Sequence, residues 1–226
     1  MKLRTISEAG LTYDIPEVDM QVYDESMVEQ VYSLPKKIID NSQIGFRVID
    51  IGGHCGVASM YFWLTWQDSG LPGNFRCDTY EPNLHELCKK NLSKVSTGFS
   101  VIGKAVTGDG RNVGLNVCNE FPCCTHITDD GDMPSVSSLD TIKFITGDID
   151  VLKIDAEGAE VEIIRGYGKQ LNRFRCIMLE YHSDADRREL DRMLDNYLMF
   201  DCRACRVARG DGDMQGVVKY IRKDLA

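Results

Sequence analysis

Carboxylates and an imidazole stand where short apolar runs give way to turns: Glu81 in TYEPN, Asp155 and Glu157 in VLKIDAEGAEVEIIRG, and Glu180 with His182 in LEYH. A carboxylate at a strand tip accepts hydrogen bonds from ribose hydroxyls, which is the role the position of Glu81 suggests. An imidazole with an unperturbed pKa near 6.5 can act as general base toward a hydroxyl or amine. The sharpest local signal is VIDIGGHCG, in which Asp50, Gly52 and Gly56 form DxGxxxG between an apolar run and a helical segment. Glycines there let the backbone turn sharply and approach a ligand, and the helix that follows offers free N–H groups. A turn built for pyrophosphate reads GxGxxG; Gly52, Gly53 and Gly56 lack that spacing, which argues against a nicotinamide oxidoreductase.

These groups need a scaffold that brings strand ends together. Five short apolar runs, 47–51, 76–81, 99–106, 149–155 and 176–182, have the length of buried parallel strands. Helical segments over 84–95, 158–167 and 184–197 alternate with them, as in βαβ units. Leu190, Met193, Leu194, Tyr197 and Leu198 recur at helical spacing, which buries one face against a sheet. Runs at 199–208 and 217–222, joined by GDGDMQG, predict an antiparallel edge pair. Residues 107–140 form an inserted loop or small hairpin, and residues 1–45 an N-terminal cap with an extended piece at 11–15 and a helical stretch over 26–39 interrupted at Pro35. The architecture is α/β: an open, mostly parallel sheet with an antiparallel C-terminal hairpin. Ligands of such sheets bind beyond the carboxyl ends of the strands, where Glu81, Asp155, Glu157 and His182 fall.

The chain has 226 residues, 43% of them hydrophobic, enough for one domain with a full core. Its 26 basic and 35 acidic residues give a formal charge of −9, which disfavours nucleic acid as a partner. The N-terminus lacks an apolar leader and no run approaches membrane-spanning length, so a cytoplasmic protein with no membrane partner is expected. The nine cysteines read as reduced thiols, mostly buried as small hydrophobes.

The three motifs together resemble those of the FkbM-type methyltransferases, which combine a DxGAxxG turn, an acidic EP-containing second strand and a late LKIDxEGAE segment. Here these are residues 50–56, 81–83 and 152–160, with Gly53 at the usual alanine position. The resemblance implies a Rossmann-like class I methyltransferase fold, S-adenosyl-L-methionine as cofactor, and methyl transfer to oxygen on a sugar or other small metabolite. It assigns Asp50 and the turn of Gly52, Gly53, His54, Cys55 and Gly56 to the methionine end of the cofactor, Glu81 with Pro82 and Asn83 to the ribose, and Ala105 with Val106 to the adenine side. Asp155, Glu157 and His182 are then the catalytic candidates toward the acceptor, with Asp155 also touching the cofactor. In-line methyl displacement requires alignment and proton removal, and no metal.

Three alternatives stay open. Asp155, Glu157, Glu180 or His182 could hold a hard cation that positions an acceptor oxygen. Cys202 and Cys205, with Cys123 and Cys124, have ligand or dithiol spacing. A catalytically silent cofactor-binding subunit would share the same turn.

Overall fold

The computed structural model describes all residues except 41, 43, 44, 72 and 207–213, together with the side chains of Cys205 and Arg206. The predicted GDGDMQG linker therefore lies partly outside the described residues.

The chain begins with an antiparallel hairpin of β1 (Leu3–Glu8) and β2 (Leu11–Pro16). Helix α1 (Met20–Tyr23) runs on into a π-helical turn over Asp24–Val28, and α2 (Lys36–Asp40) follows. The helix expected over 26–39 is thus two pieces, the first starting earlier and ending at Val28. Pro35 does not interrupt a helix. It precedes one, because its fixed φ suits a helix start, and its carbonyl accepts the amide of Ile38.

From β3 (Gly45–Ile51) the order is α3 (Val57–Ser69), β4 (Asn74–Tyr80), α4 (His85–Leu92) and β5 (Phe99–Ile102). The run 99–106 is not one strand. β5 ends at Ile102, and Val106 opens β6 (Val106–Thr107), which pairs elsewhere. The 107–140 insertion holds a hairpin of β7 (Val113–Asn116) and β8 (His126–Met133), then β9 (Val136–Ser137) and α5 (Ser138–Thr141). The remainder comprises β10 (Ile149–Ile154), α6 (Glu160–Tyr167), β11 (Phe174–Tyr181), α7 (Asp184–Met193), β12 (Tyr197–Arg206) and β13 (Met214–Arg222).

The central sheet has seven strands in the order β12-β13-β11-β10-β3-β4-β5. The five predicted strands pair in parallel, and β13 is antiparallel to both β11 and β12. Both faces are covered, so the central strands read as apolar runs rather than alternating ones. Every residue of β10 is buried. On one face Ile49, Ile51, Leu152 and Ile154 pack with Ile163, Ile164 and Tyr167 of α6. On the other, Val48, Val151 and Met178 pack with Ala58 and Phe62 of α3. Each such fully buried aliphatic side chain contributes about 1.5–3 kcal/mol. Among the described residues no helix is long and apolar enough to cross a membrane.

Candidate active site

The turn after β3 is shaped first by its neighbours. Gly52 and Gly53 donate their amides to the Tyr80 carbonyl at 2.9 and 3.1 Å. A Cβ on Gly52 (φ +77°) would lie 1.7 Å from the Asp155 carbonyl oxygen, and one on Gly53 2.1 Å from Cγ2 of Thr79. These two glycines are therefore demanded by the crowding of β3, β4 and β10, before any ligand is considered. His54 has a left-handed backbone (φ 48°), and its Nε2 sits 2.9 Å from Oδ2 of the fully buried Asp19. Burial works against the charged ring, but Asp19, with a further contribution from Cys55, outweighs it and lifts the His54 pKa to about 10. That pair ties the N-terminal cap to the turn.

Glu81, just past β4, is 7% exposed. Its Oε1 accepts the amides of Asn83 and Leu84 at 2.7 and 2.8 Å, and its Oε2 accepts the amide of His54 at 2.8 Å. Two carboxylate oxygens offer about four lone-pair sites. Three are engaged, which leaves room for about one further donor.

Asp50 does not line the cavity described below. It is fully buried, accepts a hydrogen bond from Ser59 at 2.6 Å, and pairs with Lys153 Nζ at 3.1 Å. Lys153, near the carboxyl end of β10, is 2% exposed, donates to the Gly52 carbonyl, and lies 3.7 Å from Asp155 Oδ2. Burial alone would depress its pKa; Asp50 and Asp155 more than offset this and raise it.

The acidic rim forms as the strand ends suggest. Tyr32 from the cap donates to Asp155 at 3.3 Å. Burial pushes the Asp155 carboxyl up, and Lys153 beside it pulls it below its ordinary value. Burial and the neighbouring Asp155 push Glu180 well up, and Gln215 donates to it at 2.6 Å. Glu157 has a left-handed backbone (φ 51°), an uncommon state for a residue other than glycine. His182 Nε2 lies 3.5 Å from Glu157 and 3.8 Å from Glu180, and its Nδ1 3.6 Å from Glu160.

One cavity of about 430 Å³ joins these parts. Of the residues singled out in the sequence, Gly52, Gly53, His54, Glu81, Pro82, Asn83, Ala105, Val106, Asp155, Glu157 and Glu180 line it; Asp50, Cys55, Gly56 and His182 do not. Cys55 is fully buried beneath the turn, packed with Val57, Met60 and Leu92. Tyr32, Glu25 and Lys153 also line the cavity and were not singled out. For Lys153 a signal existed, a lone cation inside the apolar run VLKI. Cys123 Sγ is 3.9 Å from that of Cys124. The side chain of Cys205 is outside the described residues, and among these no cysteine joins a cluster of three metal-ligating groups.

Five parallel strands with β13 inserted antiparallel, a glycine turn after β3 and an acidic residue after β4 define the Rossmann-like methyltransferase class. The family model of the methyltransferase FkbM domain matches residues 86–206, more than half of the chain, and the protein belongs to this family of S-adenosylmethionine-dependent methyltransferases. The match contains the 152–160 segment, while the glycine turn and Glu81 precede it. No curated protein matches the chain. Solved structures similar to it include M. capricolum TrmK in complex with S-adenosyl-homocysteine (11% identity, 83% of this chain and 67% of that one, TM-score 0.49). Others are magnesium protoporphyrin IX methyltransferase from Synechocystis PCC 6803 with bound SAM (10%, 92% and 85%, 0.49) and the METTL16 methyltransferase domain (14%, 92% and 69%, 0.48).

Proposed function

We propose that the chain acts as one methyltransferase domain, in the cytoplasm, and moves the methyl group of S-adenosyl-L-methionine to a hydroxyl oxygen of a small metabolite or sugar. The observation that carries this is the joining of the glycine turn, Glu81 and the acidic rim in one cavity of about 430 Å³, within the size range of small-molecule sites. The residues present fit that cofactor. Ala105, Val106 and Ile127 offer an apolar wall for a base, Glu81 retains a lone pair for a ribose hydroxyl, and the rim carboxylates suit a sulfonium cation. When bound, the cofactor supplies an electrophilic methyl group for in-line displacement.

The protein's own part is alignment and proton removal. Asp155 is the carboxylate that both lines the cavity and is held by Tyr32 and Lys153, so it is the residue we assign to the acceptor hydroxyl proton. His182, off the cavity wall among carboxylates, orients the rim rather than serving as the base. The formal charge of −9 favours a small acceptor over a polyphosphate chain.

The test is to incubate the protein with methyl-labelled S-adenosylmethionine and a panel of hydroxylated metabolites and sugars, locating the label by mass spectrometry. Label on oxygen supports the proposal; label found only on nitrogen, or only on RNA, overturns it. Glu81→Ala should weaken cofactor binding in calorimetry by about 1–3 kcal/mol, as for loss of a hydrogen bond to a charged group. Unchanged affinity would remove Glu81 from the cofactor's surroundings.

A further inference from the structure

The spacing at the acidic rim is odd for a set of hydrogen bonds. His182 Nε2 lies 3.5 Å from Glu157 Oε2 and 3.8 Å from Glu180 Oε2, longer than hydrogen bonds should be. Both ring nitrogens are buried, and neither makes a hydrogen bond.

The spacing suits a shared metal ion better. Ligand atoms about 2.0–2.2 Å from one metal, at tetrahedral or octahedral angles, stand about 3.0–3.5 Å from each other. One ligand atom each from Glu157, Glu180 and His182 can be chosen so that all lie within 4.8 Å of one another, so small side-chain adjustments bring them onto a common centre. On the far side of the imidazole a carboxylate stands where a supporting partner would, a little beyond hydrogen-bond reach. Nδ1 faces Glu160 Oε2 at 3.6 Å, and Glu160 is itself buried, its carboxylate fixed by the amides of Ala156 and Gly158. A carboxylate behind a ligating histidine fixes the tautomer and ring direction. Charge points the same way: Glu157, Glu160 and Glu180 each bring a carboxylate oxygen within 3.8 Å of this one imidazole, and Lys153, a buried cation lining the cavity, is already shared between Asp50 and Asp155.

We propose that Glu157, Glu180 and His182 Nε2 bind a divalent metal cation, with Glu160 as the positioning residue behind His182. Two carboxylates with one imidazole suit Mn²⁺ or Zn²⁺ better than Ca²⁺. Glu157 and Glu180 line the cavity, so the open coordination positions face the acceptor space, where an acceptor hydroxyl oxygen can bind. Only that last role rests on the proposed function; the ion site stands apart from it.

The test uses the full chain, stripped with a chelator, and titrates Mn²⁺ alone by electron paramagnetic resonance and Zn²⁺ alone by calorimetry. One saturable site is expected. Glu157→Gln and His182→Ala should abolish it, and Glu160→Gln should weaken it about 10–100-fold. Glu157 lies on a partly exposed loop, so its variant keeps the test valid if His182→Ala fails to fold. Absence of saturable binding of either ion, or binding unchanged in Glu157→Gln and in a folded His182→Ala, overturns the proposal. S-adenosylmethionine titrated into the same samples separates this failure from that of the proposed function: cofactor binding without metal binding sinks only the ion site.

Discussion

Lys153→Met should cost the fold about 3–5 kcal/mol, because removing one partner of a buried ion pair strands the other charge in the interior. Asp50 is fully buried and its Oδ1 has no partner besides the Lys153 ammonium. Methionine fills much of the lysine's volume, so the loss reports charge rather than a cavity. The measurement is urea unfolding at neutral pH, compared with wild type at constant denaturant slope. Adding Asp50→Asn to the variant removes the stranded charge and should restore a good part of the loss. A single-variant loss below about 1 kcal/mol, the range of exposed pairs, would show that the pair is solvated in solution. The same lysine donates to the Gly52 carbonyl and lies beside Asp155, so its loss should also weaken the cofactor site.

Asp155→Asn should lower methyl transfer by about 10²–10⁴-fold in single-turnover assays while changing cofactor affinity much less. The amide keeps the side chain's size and the hydrogen bond from Tyr32, but it cannot accept the acceptor's proton. Glu157→Gln and His182→Ala should lower turnover too, by disturbing the rim that holds the acceptor. The measurement is transfer across pH 5 to 9, with the acceptor found in the labelling screen. Loss of one limb of the pH profile in Asp155→Asn alone identifies the base. Full activity in all three variants would make the rim structural, with the acceptor handled by the cap or by residues 107–140. A moderate loss with an unchanged profile would mean that alignment supplies most of the rate.

The sheet was legible because parallel strands covered on both faces are written as continuous apolar runs, and all five central strands were found within two residues except the run 99–106. Their ends then pointed to Glu81, Asp155 and Glu157 at the cavity. What local pattern could not supply was pairing across the sheet. The contact of Asp50 with Lys153 exists only because β10 lies beside β3, a neighbour relation set by topology and not by spacing along the chain. Sequence alone offered Asp50 as a cofactor residue and gave no sign of its lysine partner on the next strand. The cap was the least legible part. β1 is almost wholly exposed and shows no buried face, and the π-helical turn at Asp24–Val28 shifts the helical period that the sequence displays. Tyr32 and Glu25 reach the cavity from this cap, so no strand end marked them.

The insertion of β13 between β11 and β12 bears on how the protein is made. The chain finishes β11 at Tyr181 but does not supply that strand's outer neighbour until Met214, after α7 and β12 have been synthesised. While the polypeptide emerges from the ribosome, the open edge of β11 is an unpaired row of backbone donors and acceptors beside an apolar run. This edge is then open to self-association, and a chaperone that shields it should raise the yield of folded protein without touching the finished molecule.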